Sequence, residues 1–252
     1  MLRTRIIPVL LLKNRGLYKG INFKNHTYVG DPINTVKIFN DKEVDELVIL
    51  DIEASIKNKE IDYDYLQEVV SEAFMPIAYG GGINSVDQAR KLFSIGIEKV
   101  VLNSSAFRNP ALISQLAETF GAQSVVVSID IKKSLFGAQV YIKSGTEKTN
   151  LNPLQASLQA EKYGAGEIIL NDIDKDGTRS GYNLEYVKAI AKNLKIPVIV
   201  CGGAKSIDDF IEAKKAGAHA CAAGAMFIYH GPHRAVLISY PKYEDLRKAL
   251  GE

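Results

Sequence analysis

The chain has 252 residues, of which 46% are hydrophobic and 24% charged, an ordinary globular composition that buries most of its apolar surface in one core. Lys and Arg number 31 against 29 Asp and Glu, a net charge of +2. The strong basic excess of a nucleic-acid or membrane-surface protein is therefore absent. In chain order, the apolar runs 5–11, 47–51, 76–79, 99–103, 124–130, 167–171, 197–201 and 218–222 are rich in Val, Ile and Leu without polar alternation, the pattern of parallel strands buried on both faces. Between them, segments 32–45, 63–73, 85–95, 110–120, 153–163, 184–192 and 206–216 carry helical periodicity, and a last helix at 243–250 closes the chain. Repeated strand–helix units imply parallel strands joined by crossovers. Eight units at this length predict an α/β chain folded as a single (β/α)8 TIM barrel.

An internal repeat supports the barrel. Pro76-Ile77 matches Pro197-Val198, Glu46 matches Glu167, and Gly96 matches Gly217. Leu50-Asp51-Ile52 matches Asn171-Asp172-Ile173, and Gly81 to Asp87 matches Gly202 to Asp208, all at an offset of 121 residues. The repeat is half the chain, so two similar half-barrels, about 1–122 and 123–252, are expected to form one domain. The two cysteines, Cys201 and Cys221, exclude a disulfide scaffold and suit a reducing, cytoplasmic setting. No apolar run approaches the roughly 20 residues of a membrane helix. Ile6 to Leu12 imitates a signal peptide, but Pro8 interrupts it and no small-residue cleavage site follows.

In such barrels function sits at the strand C-termini. Gly80-Gly81-Gly82 follows the third strand and Asn103-Ser104 the fourth; Gly202-Gly203 follows the seventh and Gly224-Ala225 the eighth. Glycine lets a backbone approach an oxyanion, and the helix that follows supplies N–H donors. Two such clusters at equivalent places in a repeat predict a ligand with two phosphates. Gly82, Asn103 and Ser104 would bind one, and Asp176, Gly177, Thr178, Gly203, Gly224 and Ala225 the other. The run Asp172 to Gly177 mimics the start of a calcium loop, but Asn183 stands at the twelfth position and a strand precedes it, so no metal is expected. Asp130 ends the fifth strand and points toward the mouth; position alone fits a general acid–base group or a structural carboxylate equally. Asp51 has the same two readings.

The stretches Arg5-Ile6-Ile7-Pro8, Lys19-Gly20, Gly30-Asp31-Pro32, Asp45-Glu46-Leu47, Gly80-Gly81-Gly82-Ile83, Ser128-Ile129-Asp130, Gly164 to Ile168, Asp174 to Thr178 and Cys201-Gly202-Gly203-Ala204 give the chain a family likeness. Over nearly its whole length it resembles the cyclase subunit of imidazole glycerol phosphate synthase. The resemblance implies a glutaminase (glutamine amidotransferase) partner docked on the barrel's bottom face, no cofactor, and ammonia that travels through the barrel to the top. There it would react with a bis-phosphorylated ribulosyl-formimino ligand, giving imidazole glycerol phosphate and an aminoimidazole carboxamide ribotide. It also implies an ammonia gate of four charged residues, here Arg5, Glu46, Lys99 and Glu167, with Glu98 and Gln123 near the docked partner.

Two departures matter. The family uses two aspartates as acid and base; Asp130 matches one, and Leu11 stands in place of the other. Leucine transfers no proton. The leucine run 10–12, the segment Tyr28 to Asn34 and the tail 229–241 resemble instead a paralogous group associated with surface-polysaccharide genes. Members of that group act beside a glutaminase and an N-acetyl sugar amidotransferase in forming acetamidino sugars. The expected function is thus an ammonia-passing synthase subunit, the alternative a working cyclase-lyase of histidine biosynthesis. A sugar-phosphate isomerase would also need an acid–base pair, which Leu11 opposes. His230, His233 and Arg234 would bind an anionic sugar nucleotide, face a third protein, or serve only surface or packing roles.

Overall fold

The computed structural model describes residues 3–135 and 137–251. Eight parallel strands form its centre: β1 (Arg5–Lys13), β2 (Leu47–Asp51), β3 (Ile77–Gly80), β4 (Lys99–Leu102), β5 (Val125–Ser134), β6 (Glu167–Asp172), β7 (Val198–Cys201) and β8 (Ala220–Ala223). Each pairs in parallel with the next. The ring closes where β8 pairs with β1, from Arg5 opposite Ala220 to Pro8 opposite Ala223. Helices α1 (Pro32–Asp41), α2 (Tyr63–Ser71), α3 (Val86–Ser94), α4 (Ala111–Phe120), α5 (Pro153–Lys162), α6 (Leu184–Ala191), α7 (Ile207–Lys215) and α8 (Tyr243–Leu250) complete a (β/α)8 TIM barrel.

The unbroken apolar runs are explained by two cores. One face of the strands, with Ile7, Val9, Val48, Val126, Ile169 and Ile199, packs on itself inside the barrel. The other, with Ile6, Leu10, Leu47, Ile49, Ile77 and Val127, packs beneath the helices. Both faces are largely buried and apolar, which leaves little place for polar alternation. Side-chain oxygens fix the helix starts: Asp31 accepts from Asn34 N at 2.8 Å ahead of Pro32, and Asp62 accepts from Tyr65 N. Asn152 and Gln155 cap each other reciprocally at α5.

Several boundaries differ from the sequence expectation, three of them near the mouth or at the turn into β2. The first helix, predicted over 32–45, ends at Asp41, because Glu43 takes a left-handed φ of 53° that turns the chain toward β2. β1 runs to Lys13 and continues as an antiparallel ribbon, Gly16–Ile21 paired with Lys24–Gly30. β5 runs four residues past Asp130 and pairs with Gly137–Ile142. Neither ribbon is legible in the sequence. Two-residue hairpin turns usually announce themselves with Asn-Gly or Asp-Gly, whereas in the first ribbon Asn14-Arg15 and Asn22-Phe23 adopt the positive φ values. The first ribbon docks across the barrel top: Asn22 Nδ2 donates to Ile173 O and Asp174 O, and Asn22 N to Asp176 O.

Candidate functional site

At the floor, where the strands begin, four charges close a ring. Arg5 donates to Glu46 through Nη1 and to Glu167 through Nη2, the latter at 2.7 Å. Lys99 Nζ donates to both oxygens of Glu46 and to Glu167 Oε2, each at 3.0 Å. The signs alternate, so each partly buried charge meets two opposite ones, the arrangement in which burial is tolerated. Burial pulls the Arg5 guanidinium down, but the attraction of Glu167 and Glu46 outweighs it and leaves Arg5 above its ordinary pKa. Glu98 and Gln123 lie exposed at this end. Above the ring the interior is apolar.

At the opposite end a cavity of about 670 Å³ opens over the strand C-termini. Its walls differ in character. Asp130 on β5 faces Asn171 on β6 in the strand register, whereas on β1 and β2 Leu11 faces Leu50. All four line the cavity. Ser128 Oγ and Asn171 Nδ2 donate to Asp130 Oδ1 at 3.3 and 3.4 Å. Burial pushes the Asp130 carboxyl up to about 7, against the pull of those two hydrogen bonds and with a further upward push from Asp176. A carboxyl poised there exchanges a proton readily at neutral pH. Asp51 has the structural role: its Oδ1 accepts from Glu53 N and Ala54 N at 2.9 and 3.0 Å, shaping the loop after β2.

The residues expected to hold two phosphates fall into two places. Gly82, Asn103 and Ser104 line the main cavity. Asn103 Nδ2 is tied to Ser128 O, and Ser104 Oγ accepts from Lys143 N. Asp176, Gly177, Gly203, Gly224 and Ala225 line a separate small cleft, which meets the main cavity at Asp176 and Gly224. Thr178 lines neither; its hydroxyl donates to Lys175 O at 2.7 Å. The Asp176 carboxylate is turned to Lys19 Nζ, at 2.7 and 2.9 Å, in a buried pair. Gly177 has φ of 74°, and a Cβ there would stand 2.1 Å from Gly20 O. Its glycine is thus demanded by the docked ribbon as well as by any ligand. Gly177→Ala is expected to cost about 1–3 kcal/mol for the backbone conformation alone, read as a melting temperature lower by several degrees.

The carboxylates of the 172–177 run are spent within the fold. Asp172 accepts from Asp174 N and Asn183 Nδ2, and Asp174 accepts from Lys133 N. Among the described residues no group of three or more His, Cys, Asp or Glu is placed to hold a metal. His230 and His233 are exposed. Arg234 has an internal role: it donates to Gly177 O at 2.9 Å and stacks 4.7 Å over the Tyr229 ring, strapping the tail to the second glycine loop.

A family model described as histidine biosynthesis protein matches residues 5–233. The chain belongs to that family. Its relatives are HisF subunits. It is 50% identical over 248 residues to a Pseudomonas aeruginosa protein provisionally named imidazole glycerol phosphate synthase subunit hisF2, covering 98% of this chain and 99% of that one. A Vibrio vulnificus protein provisionally named subunit hisF3 is 46% identical over 256 residues, 99% of this chain and 97% of its own. Imidazole glycerol phosphate synthase subunit HisF of Alkaliphilus metalliredigens is 40% identical over 232 residues, 91% of this chain and 92% of its own.

Three cavity residues of this HisF-family barrel lie outside the site expected from the sequence. Lys19 and His26 lie on the unpredicted ribbon, and Asn171 reads as strand filler. Burial, reinforced by Lys19, holds the His26 imidazole below its usual pKa, so it is neutral at neutral pH. The pKa of Asp130 has a consequence for stability. The carboxyl is raised above its ordinary 3.8, so the folded state binds more protons than the unfolded one between about pH 4 and 7, and stability falls as pH rises through that window. Asp130→Asn removes the titration. The variant is expected to melt several degrees above the wild type at pH 8 and to converge with it near pH 4, measured by calorimetry across pH. Among the described residues no helix is long and apolar enough to cross a membrane.

Proposed function

We propose that the chain is an ammonia-passing synthase subunit. A glutaminase docks on the floor, ammonia crosses the apolar interior, and a separate amidotransferase uses it to convert an N-acetyl sugar nucleotide to its acetamidino form for surface polysaccharide. One observation carries this: the alternating ring Arg5, Glu46, Lys99, Glu167 is intact, while the mouth has Leu11 beside Leu50 where the other wall has Asp130 beside Asn171. The equipment for admitting a small molecule is kept, and half of that for moving protons is gone. An apolar interior suits neutral ammonia, which needs no counter-charge there, and excludes ammonium. The test is reconstitution of glutaminase, this chain and amidotransferase. Leaving out the chain should abolish amidination fed by glutamine and spare amidination fed by ammonium salt; equal dependence on the chain with both nitrogen sources overturns the reading.

A second reading, a working cyclase of histidine biosynthesis, is supported by Asp130, whose pKa near 7 suits proton transfer, and by the two glycine loops at the mouth. It requires a second proton carrier on the Leu11 side. Asp51 is poorly placed for that, since its Oδ1 is committed to the loop after β2.

A further inference from the structure

Asn171 is 7% exposed, and its side-chain oxygen is buried with no hydrogen-bond partner. Native interiors rarely leave such a group unpaired, and each case asks for an explanation. Its other amide atom reaches Asp130 only at 3.4 Å, and Ser128 Oγ reaches the same carboxylate oxygen only at 3.3 Å. Three polar side chains are therefore grouped at the top of the apolar interior, joined by two long hydrogen bonds and with the Asn171 oxygen unpaired. Across the barrel Leu11 and Leu50 offer no polar atom, and Val9 and Val101 line the cavity with them. The result is a small polar corner on one wall facing an apolar patch on the other.

From this geometry we propose that Ser128, Asp130 and Asn171 form a holding site for ammonia where the barrel interior meets the mouth, a proposal that rests on the ammonia-passing reading above. Ammonia brings three N–H donors and one lone pair. The Asn171 oxygen and an Asp130 oxygen accept two of the donors. A half-turn of the Asn171 amide exchanges its oxygen and nitrogen with little change in shape, so its acceptor can turn toward the guest. Protonated Asp130 donates to the lone pair of ammonia; ionised Asp130 holds ammonium by charge. The proton passes between the Asp130 oxygen and the nitrogen, and no other bond changes. The other titratable groups facing Asp130 are Asp176, whose charge is met by Lys19, and the Cys201 thiol, which burial pushes up to about 12. Around the rest of the cavity stand Lys13, paired with Glu53, the neutral His26, Asp51, Lys59, Glu60, and Arg108, paired with Glu147.

The test is the titration of Asp130 in the full chain, followed through its carboxyl carbon by NMR and assigned by loss of the signal in Asp130→Asn. It is run in ammonium chloride, potassium chloride and sodium chloride at equal ionic strength. The expected result is a midpoint lower by about one pH unit in ammonium, a tenfold preference of the ionised form for it, with no shift in potassium or sodium. In Asn171→Leu, which copies the Leu11–Leu50 wall, Asp130 should still titrate and the ammonium effect should vanish. An equal midpoint in all three salts overturns the proposal, as does an equal shift in potassium, which would make the corner a general cation site. The wild-type comparison decides this without any variant. It is also separate from the reconstitution test: a missing ammonium shift with intact dependence of glutamine-fed transfer on the chain removes the holding site and leaves the conduit standing.

Discussion

Replacing Leu11 with aspartate is expected to raise ammonium-fed cyclisation of the ribulosyl-formimino ligand by about 10²–10⁴-fold, the usual worth of one positioned acid–base group. Leu11 lines the cavity on β1, and Asp130 lines it on β5. An aspartate at position 11 would put a carboxyl on each wall. The single substitution buries a carboxyl against Leu50, which disfavours its charged form and costs stability. Leu11→Asp with Leu50→Asn lessens this by reproducing the Asp130–Asn171 pair that β5 and β6 already carry in the same register. The double variant is therefore expected to be the more stable and the more active of the two. No gain in turnover from either, with the fold intact, would mean that the lost aspartate is not what separates this mouth from a cyclase.

The floor ring makes the second large prediction. Lys99→Met keeps the length of the side chain and removes the charge. It leaves Glu46 and Glu167 facing each other across the ring, with Arg5 their only cation within it. Glu46 is almost fully buried, and a buried carboxylate that loses a partner either relocates or takes up a proton. In both cases the closed ring is broken. Nitrogen transfer fed by glutamine should fall by about tenfold or more, the effect of about 1.4 kcal/mol on the delivery step. Transfer fed by free ammonium should change much less, since ammonium reaches the mouth from solvent. Measured in the Leu11→Asp, Leu50→Asn background, the cyclisation itself serves as the readout. An equal fall with both sources would make the ring a structural plug of the barrel floor.

The barrel was legible because its strands are unbroken apolar runs and because the glycine loops recur at a fixed offset, as with Gly81-Gly82 and Gly202-Gly203. The ring residues stand out in the sequence only through a family resemblance, and their contacts appear only in three dimensions: Arg5 and Glu167 are 162 positions apart. The first ribbon escapes sequence reading because Asn14-Arg15 and Asn22-Phe23 turn without glycine. With the first ribbon went Lys19 and His26, and so the buried Lys19–Asp176 pair. For Arg234 the sequence leaves an anion, a third protein and packing open; in the structure its guanidinium holds the Gly177 carbonyl and a tyrosine ring. Asn171 was invisible as a site because its significance lies in an unpaired atom, a property of packing that no local pattern encodes.

The most direct measurement is cyclase turnover of the unmodified chain with the ribulosyl-formimino ligand and excess ammonium salt, which removes any need for a glutaminase. The expected result is a rate at least about 10²-fold below one per second, the loss that follows from one missing acid–base group. Turnover at about one per second or faster would contradict it, and would make Leu11 compatible with a working cyclase of histidine biosynthesis.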